Sequence, residues 1–358
     1  MSNHLQEPLS TYTKPVLTKE DQEVDEKMVS LQAECIVNTV AFPMVLKAAL
    51  ELGVIDTIAA AGEGAWLSPI EISRSLPTKP TNPEAPVLLD RMLRLLVSHS
   101  ILKCRMVEGK ENGMERVYAT EPVCKYYLKD SDGSGSFVSL FMLLHTEVIF
   151  KTWTNLKDVI LEGRGAFSSA HGMPIFEYMK SGGEFAEVFN RTMTEHSTMF
   201  LKKVLEVYKG FEDVNTLVDV GGSIGTTLGL VTSKYPHIKG VNFDLPQVLA
   251  NAPSYPGVEH VSGDMFKEVP KGDAIFMKAK STGNGKVIIV DMITPEEPKS
   301  GDFSSNYKFG MDMLVLALYD GAKERSFSQL ENLAFSSGFR RCEVVCGVHS
   351  YSVLEFHK

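Results

Sequence analysis

Hydrophobic residues change their spacing part-way along the chain. From about Lys27 to Tyr208 they recur every three or four positions, as at Leu46, Ala49 and Leu50. That spacing buries one face of a helix. From Asn215 onward, short β-branched runs alternate with helical stretches. Such alternation predicts a parallel sheet with crossover helices, so we expect a helical first part followed by an α/β domain.

Seven short runs in the second part are predicted strands. The last two, separated by a turn that contains Gly347, are expected to form an antiparallel hairpin. A parallel sheet closed by one such hairpin is a variation on the nucleotide-binding fold. The predicted strands are Thr216–Val220, Gly240–Asp244, Glu259–Val261, Asp273–Lys278, Lys286–Met292, Cys342–Cys346 and Tyr351–Phe356.

The first part contains the pattern of a winged helix. A predicted helix over Leu89–Ser100 precedes two strand-like pieces within Ile101–Thr120, which flank the turn residues Gly109, Asn112 and Gly113. Winged helices often bind DNA, but here the helix carries only two cations beside an aspartate, and 36 basic against 45 acidic residues give a net charge of −9. Phosphate-backbone binding is therefore disfavoured, and packing or dimerisation is favoured.

Composition excludes several other classes. The five cysteines form no C-x-x-C pair, so neither a zinc site nor a disulfide framework is suggested, and we expect reduced, buried thiols and no metal. The N-terminus lacks the apolar core of a signal peptide. The apolar stretch Val37–Ile55 is interrupted by Asn38, Lys47 and Glu51, which favours a core helix over a membrane span. We therefore expect a cytosolic protein with no membrane partner.

A glycine-rich turn provides the main chemical signal. The strand Thr216–Val220 runs into Gly221-Gly-Ser-Ile-Gly225 and then a helical stretch, an order that brings backbone N–H groups close to a ligand. Asp244 ends the next strand, about 20 residues on, where a carboxylate can accept from ribose hydroxyls. The dinucleotide fingerprint G-x-G-x-x-G fails at two of its three places, at Ser223 and Thr226. S-adenosylmethionine is favoured over nicotinamide, although a simple turn is the alternative.

Several ordered segments resemble the plant caffeic-acid-type O-methyltransferases. The likeness extends through the first half, which most resembles the crucifer indole glucosinolate O-methyltransferases. The resemblance implies an α/β fold: a Rossmann-like methyltransferase domain with a C-terminal antiparallel hairpin, preceded by an α-helical winged-helix dimerisation domain. The segments are Leu217–Gly222, Asn242–Pro246, Pro256–His260, Gly263–Phe266 and Phe276–Lys278, with Val40–Ala49 and Asn82–Pro86 in the first half.

The resemblance also implies an organisation and a function. Residues 1–130 would form the dimerisation domain, 131–210 a helical substrate or linker region, and 211–358 the S-adenosylmethionine-binding domain. The protein would be a homodimer that methylates a hydroxyl of a small aromatic, either a hydroxyindole glucosinolate or a phenylpropanoid. The implied cofactor contacts are Ser197, Gly221, Asp244, Asp264, Met265 and Lys278, and the implied acceptor pocket comprises Leu143, Leu144, Phe189, Met193 and His196.

The chain departs from this family where the catalytic base should lie. In the family, the strand that ends here at Lys278 is followed by a box of the form Trp-x-x-His-Asp-Trp and a helix. This chain has only Ala279–Gly285 before its next strand, with neither His nor Trp. Glu324 and Asp291 match the two carboxylates that orient the missing histidine. A carboxylate with a pKa near 4 is too weak to replace that base on a phenol whose pKa is about 10.

The short link also affects the expected fold. Parallel neighbouring strands usually need a crossover of a dozen or more residues. We therefore expect the strands on either side of the link to form an antiparallel hairpin through Thr282–Gly285, or one strand to leave the sheet. The alternatives for function are a non-catalytic paralogue that binds the cofactor or dimerises, and a truncated gene model. Ser223 replaces a third family glycine and would cost about 1 kcal/mol if its φ is positive.

Overall fold

A computed structural model gives the fold of this chain. It describes residues 19–109, 113–128, 136–180, 182–277 and 286–358, with side chains from residue 25 onward. The Cα positions divide into two compact units, residues 1–123 and 124–358. Lys278 and the predicted Thr282–Gly285 turn lie outside the described residues.

The first unit is a small helical body with a two-stranded wing. The buried side chains Leu46, Ile55 and Leu93 occupy its core. The two strands pair antiparallel in the predicted place, with Leu102 opposite Thr120. The elements are α1 (Lys19–Val37), α2 (Ala41–Leu52), α3 (Val54–Ala60), α4 (Pro69–Ser75), α5 (Ala85–Ser98), β1 (Leu102–Glu108) and β2 (Met114–Thr120), followed by a 3₁₀ helix at Pro122–Tyr127.

A buried polar contact fixes the wing against α5. The Tyr118 hydroxyl of β2 donates to Asp90 Oδ1 at 2.6 Å, and Arg116 Nε donates to the same oxygen at 3.1 Å. Burial, and then the hydrogen bond to Asp90, raises the pKa of Tyr118. Arg94 of α5 also lies 3.3 Å from the Asp90 carboxylate. Arg94 and Arg116 therefore both form ion pairs with Asp90 within this unit.

Within the described residues, no single helix is long and apolar enough to span a membrane, although the bent pair Asp25–Val37 and Ala41–Leu52 passes that test jointly. The five cysteines are unbridged, as expected. The expectation that all are buried was wrong, because Cys35 is exposed on α1.

The second unit begins with helices and continues into the α/β part. Its elements are α6 (Phe137–Leu144), α7 (Glu147–Trp153), α8 (Leu156–Glu162), α9 (Ala166–His171), α10 (Ile175–Lys180), α11 (Glu184–Val207), β3 (Thr216–Val220), α12 (Thr226–Lys234), β4 (Lys239–Asp244), α13 (Pro246–Leu249), β5 (Val258–Ser262), β6 (Ala274–Met277), β7 (Lys286–Asp291), β8 (Ile293–Thr294), α14 (Phe303–Leu318), β9 (Arg325–Ser326), α15 (Phe327–Ser336), β10 (Arg341–Val348) and β11 (Tyr351–His357).

A seven-stranded sheet forms the centre of this unit. Its strand order is β10-β11-β7-β6-β3-β4-β5, and the five strands from β7 to β5 are parallel. The chain proceeds outward from β3 to β5 and then returns to the other side of β3 at β6. In open α/β sheets, ligands bind beside such a reversal, outside the carboxyl ends of the strands.

The expected rearrangement of β6 and β7 was wrong. The two strands are parallel neighbours, with Ala274 opposite Lys286 and Met277 opposite Ile289. The reason is the shortness of β6, whose four residues require a return of only about 10 to 13 Å along the strand at 3.3 Å per residue. The eight residues 278–285 can reach about 26 Å or more when extended, so chain length alone does not forbid the parallel pairing.

Lys286 fixes the beginning of β7 after the short link. Its Nζ donates to Gly210 O at 2.7 Å and to Glu355 Oε1 on β11 at 2.8 Å. Glu355 also accepts a hydrogen bond from the Tyr208 hydroxyl. These buried contacts tie β7 to both β11 and the segment before β3. The network lies at the amino ends of the parallel strands, away from the edge where a ligand would bind.

The C-terminal hairpin is antiparallel, as expected, and completes the sheet. Its turn lies two residues later than expected, because Gly347 is still paired with Ser352 and the reversal falls at His349 and Ser350. His349 adopts a φ of 54°, the left-handed conformation that a tight turn requires.

Candidate active site

The loop after β3 forms a glycine cradle at the point where the strand order reverses. Gly221 and Gly225 have φ angles of 73° and 85°, in the region that favours glycine. Gly222 is required for space, because a Cβ there would lie 2.1 Å from Asn242 Oδ1 and 2.7 Å from the Asp219 carboxylate. Helix α12 begins directly after Gly225. Positions 221, 222 and 225 of the loop therefore each favour glycine, two for conformation and one for space.

Ser223 occupies the strained position of this loop. Its φ of 54° is left-handed, so the condition for a backbone penalty of about 1 to 2 kcal/mol is met. Both of its backbone polar groups are held by side chains of β4. Its N–H donates to Asp244 Oδ2 at 2.8 Å, and its carbonyl accepts from Asn242 Nδ2 at 2.8 Å. These two bonds offset the strain of a residue that has a Cβ.

Asp244 lies at the carboxyl end of β4 beside the cradle. Besides Ser223, it accepts the Leu245 N–H at Oδ1, 2.7 Å away. A carboxylate has about four acceptor positions, so two remain for the hydroxyls of a ribose. Phe243, the preceding residue, accepts the Gly221 N–H at its carbonyl, 2.8 Å away. The end of β4 and the glycine loop thus form one hydrogen-bonded unit.

The residues after β5 complete the same crevice. Met265 Cε lies 3.6 Å from the position that a Cβ of Gly221 would occupy, so the thioether lies over the loop. The Asp264 carboxylate accepts the N–H of Phe266 at 3.0 Å, which fixes the turn. Gly221, Asp244 and Met265 therefore lie together at the carboxyl ends of β3, β4 and β5. These groups fit a nucleoside with an amino-acid tail: glycine backbone, a ribose acceptor and an apolar cover.

Two further cofactor residues were expected, Ser197 and Lys278. Ser197 is a partly buried residue of α11, a helix that packs against α12. Lys278 follows β6 directly and is outside the described residues. The roles of both stay predictions.

Four of the five expected acceptor residues belong to one apolar cluster. Leu143 and Phe189 are buried in it, and Leu144 and Met193 are packed against it. Sequence reasoning missed the other buried members of this cluster, although Phe185 precedes Phe189 by one helical turn, a spacing that indicated a shared face. These members are Ile149, Phe167, Ile175, Phe185, Leu314 and Leu318.

His196, on the same helix as Phe189 and Met193, lies at the hairpin. Its ring centroid is 5.7 Å from that of Tyr351 and 6.2 Å from that of Phe137. Tyr351 also packs against Phe200, one helical turn after His196, at 4.9 Å. His196 therefore adjoins the first residue of β11, a proximity that the sequence did not indicate.

The two expected orienting carboxylates adjoin the same tyrosine. Burial raises the pKa of Tyr351, and Tyr307, Glu324 and Asp291 raise it further. Burial also raises the pKa of Tyr307, with a smaller contribution from Glu324. At neutral pH both phenols are therefore protonated. The structure thus brings together both carboxylates and two tyrosines that sequence reasoning missed.

This fold and site define a class of enzyme, and comparison with known proteins identifies it. The chain matches a model of the O-methyltransferase dimerisation domain over residues 35–130 and one of the O-methyltransferase domain over residues 153–281. The second match stops within the short link between β6 and β7.

The chain belongs to this O-methyltransferase family. It is 48% identical to indole glucosinolate O-methyltransferase 1 of Arabidopsis thaliana over 378 aligned positions, which cover 99% of both chains. It is 43% identical to caffeic acid 3-O-methyltransferase of Catharanthus roseus, covering 96% of this chain and 97% of the relative. The alignment with the first relative is 20 positions longer than this chain, so it opens gaps of at least 20 positions in total on this side.

Solved structures share the fold at lower identity. Human N-acetylserotonin methyltransferase in complex with SAM superimposes with a TM-score of 0.70 at 18% identity, over 92% of this chain and 97% of that one. CalO1, a methyltransferase of calicheamicin biosynthesis in its SAH-bound form, gives 0.72 at 21% identity, over 93% and 98%.

Proposed function

We propose that this protein binds S-adenosylmethionine and methylates the hydroxyl of a small aromatic, a hydroxyindole glucosinolate or a phenylpropanoid, at a strongly reduced rate. The glycine cradle beside Asp244 and Met265 supports cofactor binding. The apolar cluster around Phe189 supports an aromatic acceptor, and the curated relatives act on such compounds by name. The reduced rate follows from the short link, which has no histidine to serve as the base.

The residues present can hold the cofactor and position the acceptor, but they do not include a base that removes the hydroxyl proton. When bound, the cofactor would supply an electrophilic methyl group on a sulfonium. Asp244 would hold its ribose, and Gly221, with the loop backbone, its amino-acid end. Holding the acceptor hydroxyl near the methyl group supplies part of the rate by proximity. Removing the hydroxyl proton supplies about 10² to 10⁴ more, and this part is missing.

The observation that carries the proposal is an intact cradle beside an incomplete acid–base site. Calorimetry with S-adenosylhomocysteine is expected to show binding, whereas turnover of hydroxyindoles and phenols is expected to be at least about 10² below that of a relative with the full segment. Turnover equal to that relative would contradict the reduced rate. No heat at millimolar ligand would contradict the cofactor site.

A non-catalytic paralogue is the second candidate, favoured by the same short link. Such a protein would retain cofactor binding or dimerisation and show no methyl transfer to any acceptor. Sequencing the transcript across the codons for Lys278 to Lys286 distinguishes both from a truncated gene model, because an intact transcript would restore the missing segment.

We further propose a cytosolic homodimer that uses no metal. The dimerisation-domain match over residues 35–130 supports self-association. Light scattering at micromolar concentration is expected to give twice the mass of 39.5 kDa for one chain. A monomer would contradict the proposed dimer, and loss of activity with a chelator would contradict the absence of a metal.

A further inference from the structure

Three polar residues lie side by side under the glycine cradle. Asp219 of β3, Asn242 of β4 and His260 of β5 are paired in register on neighbouring parallel strands. Asp219 and Asn242 are buried, and His260 is half-buried. Interior strand positions are usually apolar, and buried polar groups are retained where their hydrogen bonds are satisfied. The presence of these three side chains inside the sheet therefore depends on the contacts that they make.

His260 and Asn242 form a hydrogen-bond chain that ends on the strained residue of the loop. His260 Nε2 lies 2.9 Å from Pro253 O, His260 Nδ1 lies 3.0 Å from Asn242 Nδ2, and Asn242 Nδ2 donates to Ser223 O at 2.8 Å. The oxygens of Pro253 and Ser223, at the two ends of this series of hydrogen bonds, are carbonyl oxygens that can only accept, so the direction of each bond is fixed. Nε2 must carry the proton of a neutral imidazole, and Nδ1 must accept from the amide.

The histidine also limits the space below the loop. A Cβ on Gly225 would lie 2.9 Å from His260 Cε1 and 3.3 Å from Asn242 Nδ2. The imidazole and the amide thus lie directly beneath Gly225 and leave no room for a side chain there. The Asn242 and His260 side chains therefore hold the Ser223 carbonyl and also limit the space beneath Gly225.

We propose that His260 is a positioning residue for the cofactor loop. By accepting from Asn242, it orients the amide toward Ser223 O and so helps to hold Ser223 in its left-handed conformation. The role is specific to a chain with serine at this place, because a glycine adopts that conformation without strain. The inference rests on the proposed cofactor binding but does not depend on methyl transfer.

The test compares His260 variants in two loop backgrounds of the full chain. S-adenosylhomocysteine is titrated by calorimetry at pH 7.5, and unfolding is followed without ligand. His260→Leu is expected to weaken binding about tenfold, the effect of losing one well-placed hydrogen bond and its partner's orientation. His260→Asn, whose Oδ1 replaces the accepting Nδ1, is expected to stay within about threefold of the original chain.

Ser223→Gly provides the decisive background. With the strain removed, His260→Leu is expected to cost less than about threefold in affinity, since the loop no longer needs the hydrogen-bond chain. A purely structural histidine would cost the same in both backgrounds.

The outcomes separate this inference from the proposed function. Equal affinity of the original chain and His260→Leu, or an equal loss in both Ser223 backgrounds, would overturn the positioning role while leaving cofactor binding intact. If the original chain binds no S-adenosylhomocysteine, the proposed function fails. The inference is then decided by ligand-free unfolding, where Ser223→Gly must cancel most of the loss in Tm that His260→Leu causes.

Discussion

The two sides of the carboxyl edge of the sheet differ in the contacts that surround their candidate site residues. On the side of β3, β4 and β5, each loop is bonded to its neighbour: Gly221 to Phe243, Ser223 to Asp244, and the Gly263 N–H to Asp244 O at 3.0 Å. On the side of β6 and β7, Glu324 and Asp291 contribute to raising the pKa of Tyr351, and the link that follows β6 contains no histidine in its sequence. The cofactor cradle is therefore built from contacts that do not involve the catalytic segment.

The two groups of candidate site residues lie in separate parts of the chain. The cradle depends on residues 216–265, which are contiguous in sequence and close through parallel pairing. The acid–base side depends on the link after β6, on Asp291 and on the hairpin. Variants on the two sides are therefore expected to have separable effects.

Restoring the catalytic segment should have the largest effect. Insertion of the family's Trp-x-x-His-Asp-Trp box and following helix between Lys278 and Gly285 is expected to raise turnover by at least about 10², because it returns the general base. Cofactor affinity should change little. Steady-state kinetics with hydroxyindoles and phenols measure the gain. The matched control carries alanine in place of the inserted histidine, and an equal gain from that control would show that the base is not what is missing.

On the cofactor side, Asp244→Ala should weaken S-adenosylhomocysteine binding by roughly 10- to 100-fold, since hydrogen bonds to a charged group contribute about 1.5 to 3 kcal/mol. The variant loses the acceptor for the ribose and for the Ser223 N–H. Calorimetry gives the affinity.

Asp273→Ala is the matched control for this variant. Asp273 Oδ2 also accepts two backbone N–H groups, from Asn215 at 3.0 Å and Thr216 at 2.9 Å, but at the amino edge of the sheet. It should lower Tm while leaving affinity within about twofold, as expected for distant, independent sites. A similar loss of affinity in both variants would mean that Asp244 acts only on stability.

Much of the cofactor side could be predicted from sequence, because its signals are local. β-branched runs marked the strands, and the glycine loop with Asp244 one strand later marked the crevice. His260 lay within a segment used for the resemblance, yet its role depends on the register that places it beside Asn242. Tyr351 was missed for the same reason: it lies 60 residues after Asp291, and only the pairing of β11 with β7 brings them together. Hydrophobic alternation indicates which face of a strand is buried, but it does not by itself identify which residues of neighbouring strands lie opposite each other.

The one clear error in the predicted fold concerned β6 and β7. The rule for parallel crossovers assumes a helix between strands of ordinary length. Here β6 has four residues, so the return is short, and Lys286 is fixed at the start of β7 by Gly210 O and Glu355. The length of the strands, and not only that of the link, determines whether parallel pairing survives a deletion.

Gly222→Ala should have an intermediate effect and tests the space in the cradle. The added Cβ would meet Asn242 Oδ1 at 2.1 Å, so the loop must move at a cost of about 1 to 3 kcal/mol. Both Tm and S-adenosylhomocysteine affinity should fall. Gly310→Ala is the control, because its Cβ meets nothing within 4 Å on α14 and alanine favours helix by about 0.5 to 1 kcal/mol. Unchanged affinity in Gly222→Ala would show that the loop does not contact the ligand.

The smallest effect on cofactor binding is expected from Tyr351→Phe, on the acid–base side. The change removes a hydroxyl whose pKa is raised by burial and by Tyr307, Glu324 and Asp291, and it is expected to cost about 0.5 to 1.5 kcal/mol in stability. S-adenosylhomocysteine affinity should stay within about twofold, because the cradle has no contact through this tyrosine. His196→Ala beside it should likewise leave affinity unchanged. If the chain turns over an acceptor and either variant abolishes that turnover, the hairpin has replaced the missing base, and the two sides of the sheet are both complete.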